Sequence, residues 1–308
     1  ICEGVAIDAI TYDLVDNAES VVVTGLPPGI SAIVNSGTLT ISGAPSDVST
    51  STNFSYTIEP TNNVTGCAGE ILTGQITVNA DGELTLDSSN ANQTLCEGDA
   101  IVPIVFTLGG DATSAVLSSP SGDDLSWMSL VVNSAGVVTL TGTPSANSTA
   151  TTDYDFTVTT SGSGCQQASI SGTITTTPTP RVVPSAGNTG ALVQTICEGV
   201  AIDAITYDLV DNAESVVVNG LPPGIGYSVG AGTLLISGTP SDVASDTTFS
   251  YTIEPLNSTT NCSGEVVNGQ IRVNADGELT LDSSNANQTL CEGDAIVLIV
   301  FTLGGDAT

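Results

Sequence analysis

Apolar and polar residues alternate with a period of two along most of the chain. In the stretch NFSYTI, the apolar residues Phe54, Tyr56 and Ile58 share one face, and serine and threonine lie between them. The stretch DYDFTV at positions 153–158 repeats the pattern. This spacing is typical of half-buried strands, which β-branched residues also favour. No stretch shows helical spacing, so the pattern predicts an all-β protein.

The strand pattern recurs along the chain. The block 1–30 returns from Ile196 with a single change, and the block 78–113 returns from Val273, also with a single change. Each long period contains two weaker half-repeats, and a Cys-Glu-Gly sequence, which we term the box, marks each half. The order is therefore A-B-A-B, and repetition of this kind indicates an array of similar domains.

The repeats predict four segments: 1–80 (type A, without its opening strand), 81–177 (type B), 178–275 (type A) and 276–308 (the start of a type B repeat, cut short). Several short strands in about 97 residues, separated by Gly, Pro, Asn and Asp, are typical of an immunoglobulin-like β-sandwich. We therefore predict tandem sandwiches with short joints, arranged as an extended rod. The proline-rich stretch at 175–187 aligns with the opening strand of the B repeat. Its residues Arg181, Val182 and Val183 are predicted to belong to the first strand of the second A repeat, at an edge that tolerates proline.

The net charge of the chain argues against two classes of binding partner. The chain carries 33 acidic residues, two basic residues and no histidine, for a net charge of -31. Nucleic acids and anionic membranes require a basic surface, so neither is expected as a partner, and no apolar run is long enough for membrane insertion. With 40% hydrophobic residues, the chain has enough apolar side chains to fold.

Each complete repeat contains two cysteines, one in the box and one in the turn before the last strand. We expect these two positions at the same end of a sandwich, where they could bond. A disulfide that closes a loop of about 65 residues stabilises a domain by about 4 kcal/mol in the chain-entropy model. The predicted pairs are Cys2–Cys67, Cys96–Cys165 and Cys197–Cys262, and the predicted partner of Cys291 lies beyond residue 308.

Other roles for the cysteines remain open. They include buried reduced pairs, a pairing across a joint such as Cys67 with Cys96, and a metal or catalytic site. Zinc sites use clustered Cys and His, and a reactive thiol needs a neighbouring base or cation, so the absence of histidine and lysine disfavours both. Disulfides indicate an oxidising, extracellular location.

The ordered sequences GLPPGI, ISGTPS, FSYTI and GQITV, with the box before them, resemble the PKD-like or immunoglobulin-like repeats of giant Bacteroidota cell-surface proteins. That group includes gliding-motility adhesins exported by type IX secretion. The resemblance covers essentially the whole chain, although the B repeat departs from it near Pro120. It implies a long cell-surface filament or stalk and identifies no ligand.

Candidate sites are few. Acids near the joints are candidate calcium ligands, although solvated surface acids are the simpler interpretation and no other cofactor is indicated. No catalytic residue is predicted, because a serine hydrolase would need histidine and the adjacent Asp123 and Asp124 do not form a spaced carboxylate pair. Trp127 could line a sugar-binding face but fits a core or edge position better. The calcium candidates are Asp81, Glu83, Asp276 and Glu278.

These observations predict a non-enzymatic structural segment of a long secreted filament or adhesin stalk, with gliding motility as one setting. The alternatives are a glycan- or ligand-binding module and a subunit of an extracellular filament or sheath. The expected partners are neighbouring repeats of the same chain, together with cell-surface machinery or extracellular glycans.

Overall fold

The computed structural model describes residues 1–145, 150–186, 188 and 192–305. Strands and turns make up these residues, and no helix is found among them. The chain divides into two compact units, which are coarser than the four predicted repeats, so the predicted boundaries stay predictions. Unit 1 comprises Ile1–Gln93, Gly98–Ser145 and Asp153–Thr175, and unit 2 comprises Thr94–Glu97, Ala146–Thr152 and Thr176–Thr308.

The first A repeat consists of two three-stranded sheets, with strand orders β1-β4-β3 and β2-β5-β6. All pairings within them are antiparallel. Its strands are β1 (Ile10–Asp13), β2 (Ser20–Thr24), β3 (Ile30–Asn35), β4 (Thr38–Gly43), β5 (Thr52–Thr61) and β6 (Leu72–Val78).

The B repeat has two four-stranded sheets, ordered β11-β12-β9-β7 and β10-β13-β14-β8. Its first strands are β7 (Gly82–Leu86), β8 (Gln93–Cys96), β9 (Ile104–Gly110) and β10 (Ser114–Ser118). They are followed by β11 (Met128–Val132), β12 (Val137–Gly142), β13 (Thr152–Ser161) and β14 (Ser169–Thr177).

The second A repeat repeats the strands of the first and adds two at its start. Its sheets are ordered β15-β17-β20-β19 and β16-β23-β21-β18, and the short β22 pairs with β21. The strands are β15 (Arg181–Pro184), β16 (Val193–Cys197), β17 (Ile205–Val210), β18 (Ser215–Asn219), β19 (Ile225–Gly230), β20 (Thr233–Gly238), β21 (Thr247–Asn257), β22 (Cys262–Ser263) and β23 (Val267–Asn274). In the last repeat β24 (Gly277–Leu281) pairs with β25 (Phe301–Gly305).

The edge strand predicted in the proline-rich stretch at 175–187 is confirmed. Residues 181–184 form β15, which pairs with β17 at one edge of its sheet. Because an edge strand leaves one row of backbone groups unpaired, it tolerates proline. The segment is therefore part of the second A repeat and not a linker.

The core of each repeat lies between its two sheets and is built by the predicted alternation. In β5, Tyr56 and Ile58 are buried, while Thr57 between them lies on the opposite face and is half-buried. The facing β4 contributes Leu39 and Ile41, and β6 contributes Ile76 and Val78. The equivalent residues of the second A repeat are fully buried: Leu234, Ile236, Tyr251, Ile253, Ile271 and Val273.

A glycine in the last strand of each A repeat makes room for an aromatic ring. Tyr251 pairs across the ladder with Gly269, and a Cβ added to that glycine would lie 2.1 Å from the tyrosine ring. Tyr56 and Gly74 repeat the arrangement, with a closest approach of 2.2 Å. The ring can lie flat over the neighbouring strand only because the glycine has no side chain.

We expect Gly269→Val to destabilise unit 2 by about 1–3 kcal/mol, because the valine side chain would overlap the buried ring. Urea unfolding followed by the NMR signals of the second A repeat would measure the change. Gly226→Val is the matched control, since Gly226 also lies in a strand and nothing lies within 4 Å of its added Cβ. Equal stability of the two variants would contradict this packing.

Candidate functional site at the joints between repeats

The box lies at the end of a strand, beside the end of the last strand of its own repeat. In the second A repeat β16 ends at Cys197 and pairs in parallel with β23, so that Cys197 is opposite Asn274. In the first A repeat Cys2 forms a parallel bridge with Asn79. Each box is therefore at the point where the chain leaves one repeat and enters the next.

The Gly of the box contacts the x-Pro-Ser turn of its own repeat. Gly4 and Gly199 have φ angles of 70° and 75°, a left-handed conformation that glycine adopts without strain. The Gly4 N–H donates to the Pro45 carbonyl at 2.8 Å, and the Gly199 N–H donates to the Pro240 carbonyl at 3.1 Å. Two sequence landmarks of the repeat thus form one backbone contact.

The Glu of the box holds two backbone amides at each A repeat. In the second A repeat the buried Glu198 accepts from the Val243 N–H at 2.5 Å and from the Asp276 N–H at 3.0 Å. In the first, Glu3 accepts from the Val48 N–H at 2.6 Å and from the Asp81 N–H at 3.1 Å. One carboxylate therefore links the box, a loop of its own repeat and the first residues of the next.

The box Glu of the B repeat also accepts from a backbone amide of the following repeat. Glu97 accepts from the Thr179 N–H at 2.9 Å, at the beginning of the second A repeat. Sequence reasoning missed this role for the box Glu. Its occurrence beside each cysteine was the available signal, but the backbone donors become visible only in the folded chain.

The disulfides join successive repeats. Cys2 of the first A repeat bonds to Cys165 of the B repeat, with the Cα atoms 5.5 Å apart. Cys96 of the B repeat bonds to Cys262 of the second A repeat, at 5.7 Å. Both Cα separations are typical of disulfides. In the second case Cys262 is buried, and the Thr177 hydroxyl lies 3.2 Å from Cys262 Sγ.

This pairing corrects the predicted pairs Cys2–Cys67, Cys96–Cys165 and Cys197–Cys262. Cys67, Cys197 and Cys291 are exposed free thiols in the structure. The pairing across a joint, which the sequence disfavoured, is the one formed, although with other partners than Cys67 and Cys96.

Strand direction explains the correction. The box strand runs parallel to the last strand, so Cys2 lies at the C-terminal end of β6. Cys67 lies in the loop that precedes the same strand, at its other end. A strand from Leu72 to Val78 is about 20 Å long at ~3.3 Å per residue, which exceeds the reach of a disulfide. The two cysteines of one repeat therefore cannot bond.

Further contacts at the first joint come from Asp111, in the turn after β9. Its carboxylate accepts from the Ser51 N–H at 2.9 Å, from the Ser51 hydroxyl and from the Ala80 N–H at 3.0 Å. The Ser51 hydroxyl, followed by the Ser51 amide, lowers the pKa of Asp111 below its ordinary value of 3.8. Asp111 thus connects the B repeat to two segments of the first A repeat.

The calcium candidates do not form a common site. The Asp81 side chain accepts from the Gln166 N–H at 3.0 Å, a hydrogen bond within the B repeat. Glu83, Asp276 and Glu278 are exposed. Within the described ranges, no three acidic, Cys or His side chains come together as metal ligands.

The aromatic candidate for glycan binding is packed. The Trp127 ring meets the Tyr154 ring edge to face, with the centroids 5.2 Å apart and an angle of 77° between the planes. The Asp123 carboxylate accepts from the Asp155 N–H at 3.0 Å, and the Asp124 carboxylate accepts from the Ser126 N–H at 2.9 Å. These side chains organise a turn of the B repeat.

Comparison with known proteins places the fold. No protein-family model matches the chain, and no curated protein matches it in sequence. Among solved structures, an I-band fragment of titin is similar at a TM-score of 0.51 and 11% identity, covering 89% of this chain and 94% of the fragment. The chain folds as tandem immunoglobulin-like β-sandwiches. A second titin structure, an E-to-A variant, gives the same values.

A protocadherin gammaB7 fragment is also similar, at a TM-score of 0.42 and 12% identity, covering 96% of this chain and 79% of the fragment.

The two disulfides of the present chain indicate an oxidising environment. Within the part of the chain that the structure describes, no helix is long and apolar enough to cross a membrane.

We expect Glu198→Gln to speed hydrogen exchange at the Val243 and Asp276 amides, because a glutamine side chain has only one acceptor oxygen for the two donors. The loss corresponds to about 1–2 kcal/mol of local stability. Glu292→Gln is the matched control, since Glu292 occupies the same box position and is exposed. Unchanged exchange at both amides would refute the role assigned to Glu198.

The first joint should keep its Asp111 contacts on acidification until the pH falls below 3.8. A lowered folded-state pKa means that this stabilisation is present above the ordinary value and is lost as the pH falls through the folded-state pKa. The chemical shifts of the Ser51 and Ala80 amide protons would report the transition, and Asp111→Asn should abolish it. A transition above pH 3.8 would be inconsistent with these hydrogen bonds.

Proposed function

We propose that the protein is a non-enzymatic structural segment of a secreted cell-surface filament or adhesin stalk, and that its repeats are of the PKD-like type found in Bacteroidota surface proteins. The observation that carries the proposal is the covalent bond across each of the two successive joints, Cys2–Cys165 and Cys96–Cys262. A bond within one domain stabilises only that domain. A bond across a joint also transmits tension and restricts bending between domains.

The hydrogen bonds at the joints support the same function. Backbone amides at the start of the following repeat are held by Glu3, Glu97 and Glu198. Such contacts favour one arrangement of consecutive repeats over many. The net charge of -31 adds repulsion between repeats and between neighbouring stalks, which favours extension and solubility.

The two disulfide loops overlap, which limits how far the chain can be stretched. The shortest covalent path from Cys2 to Cys262 crosses to Cys165, returns along the chain to Cys96 and crosses again. That path contains roughly 70 residues and extends to about 240 Å, whereas the reduced chain would extend to about 900 Å between the same cysteines. The stalk would therefore stay short under a force that unfolds its domains.

Pulling single 308-residue chains from both ends tests the proposal. We expect the segment between Cys2 and Cys262 to stop at about 240 Å in oxidising buffer and to reach about 900 Å in a reductant. Cys96→Ser should give an intermediate limit of about 330 Å, because only the first disulfide remains. Cys291→Ser, which removes an exposed free thiol, is the control and should behave as the original chain.

Full extension without reductant would contradict the proposed mechanical function. The setting on the cell surface needs a separate observation. Negative-stain images of the native assembly should show a thread of domains that bends at its joints when the disulfides are reduced. A compact native particle would contradict a stalk.

A further inference from the structure

The first A repeat has an open groove at the end that carries the loop between β5 and β6, which we term the hairpin loop because it joins two paired strands. The equivalent loop of the second A repeat joins β21 and β23. The cavity has a volume of about 650 Å³. Its floor is apolar and its rim carries acids and a free thiol. The lining includes Tyr12, Leu14, Leu39, Ile58, Leu72, Cys67 and Asp16.

The second A repeat has the same surface covered. There β15 pairs with β17, whose sequence is identical to that of residues 10–15, and Val182 of β15 is buried in the core with Leu234 and Ile253. These two core residues correspond to Leu39 and Ile58 of the groove. Pro180 lies so close to the hairpin that a Cβ on Gly264 would meet its carbonyl oxygen at 1.7 Å.

Side chains that are buried beneath residues 177–184 in the second A repeat are more exposed in the first A repeat. Tyr207 is fully buried and Cys262 is 1% exposed, whereas their counterparts Tyr12 and Cys67 are half-buried and exposed. The loops around the groove nevertheless make the same hydrogen bond in both A repeats, so the groove is preformed. The Asn62 side chain donates to the Asn17 carbonyl at 2.8 Å, as Asn257 donates to the Asn212 carbonyl at 2.7 Å.

Charge complementarity points to the same occupant. Arg181 of β15, one of only two basic residues in the chain, forms an ion pair with Asp211. The counterpart of Asp211 in the first A repeat is Asp16, which is exposed at the rim of the groove. An arginine at this position of an added strand would therefore form an ion pair with Asp16.

We propose that the groove of the first A repeat is a docking site for one extended segment of the Pro-Thr-Pro-Arg-Val-Val-Pro type, supplied by the C-terminal end of another B-type repeat. The segment adds a strand to the free edge of β1, places a valine between Leu39 and Ile58, and pairs its arginine with Asp16. Strand addition of this kind obtains affinity from backbone hydrogen bonds and specificity from side-chain pockets. This surface is distinct from the mechanical function proposed above, which stands or falls by the pulling experiment.

A synthetic peptide of residues 176–186 tests the docking on the intact 308-residue chain, whose second A repeat already holds its own copy of this segment. Alkylation of Cys67 is the readout, with Cys197 and Cys291 as internal references because both are free and exposed. At a peptide concentration of ten times Kd, we expect Cys67 to react about tenfold more slowly and the two references to be unaffected.

Matched variants establish where and how the peptide binds. The peptide with Val182→Asp should lose protection, because it would bring a carboxylate into an apolar pocket. Leu14→Glu in the chain should weaken binding of the labelled original peptide about tenfold or more in fluorescence anisotropy. Val131→Glu, at an exposed position of the B repeat, should bind as the original chain does.

The proposal is overturned if the original peptide leaves the alkylation of Cys67 unchanged. It is also overturned if the Val182→Asp peptide protects equally well, because binding would then be nonspecific. Concentration-dependent dimerisation of the chain that protects Cys67 and is insensitive to the peptide would assign the groove to a second copy instead. Circular dichroism of the Leu14→Glu chain checks its folding, and the peptide variant keeps the test decisive if that chain does not fold.

Discussion

The parallel pairing of the box strand with the last strand of its repeat is the constraint on which the rest of the structure depends. It carries the box cysteine to the end where the next repeat begins, as Cys197 opposite Asn274 illustrates. The hairpin cysteine of the same repeat is left at the other end of the strand. Because bonding within a repeat is excluded, each bonded box cysteine joins the hairpin cysteine of the following repeat, and two repeats become one covalent structure.

The acidic composition has a structural use at these joints. Glu3, Glu198 and Asp111 each accept hydrogen bonds from two or more donors, most of them backbone amides of neighbouring segments. A carboxylate bonded in this way stabilises a joint without a basic side chain, which suits a chain with only two basic residues. Many of the other acids are exposed, and their like charges repel one another.

Sequence periodicity predicted the sandwiches, the buried faces and the edge position of Arg181–Pro184, because each depends on local spacing. The disulfide pairs could not be predicted in this way, because they depend on the direction of a short strand relative to a partner many residues away. Strand formation also depends on such a distant partner. Residues 93–96 and 288–291 have identical sequences, and only the first segment, which pairs with β14, forms a strand. Likewise Phe106 is fully buried, whereas Phe301, in the same sequence block, is 51% exposed.

Disulfide mapping of the unreduced chain tests the central claim most directly. A Glu-specific protease is suitable, because the chain has too few basic residues for trypsin. The account predicts linked peptides containing Cys2 with Cys165 and Cys96 with Cys262, and alkylated Cys67, Cys197 and Cys291. Linked peptides containing Cys2 with Cys67 and Cys197 with Cys262 would contradict it.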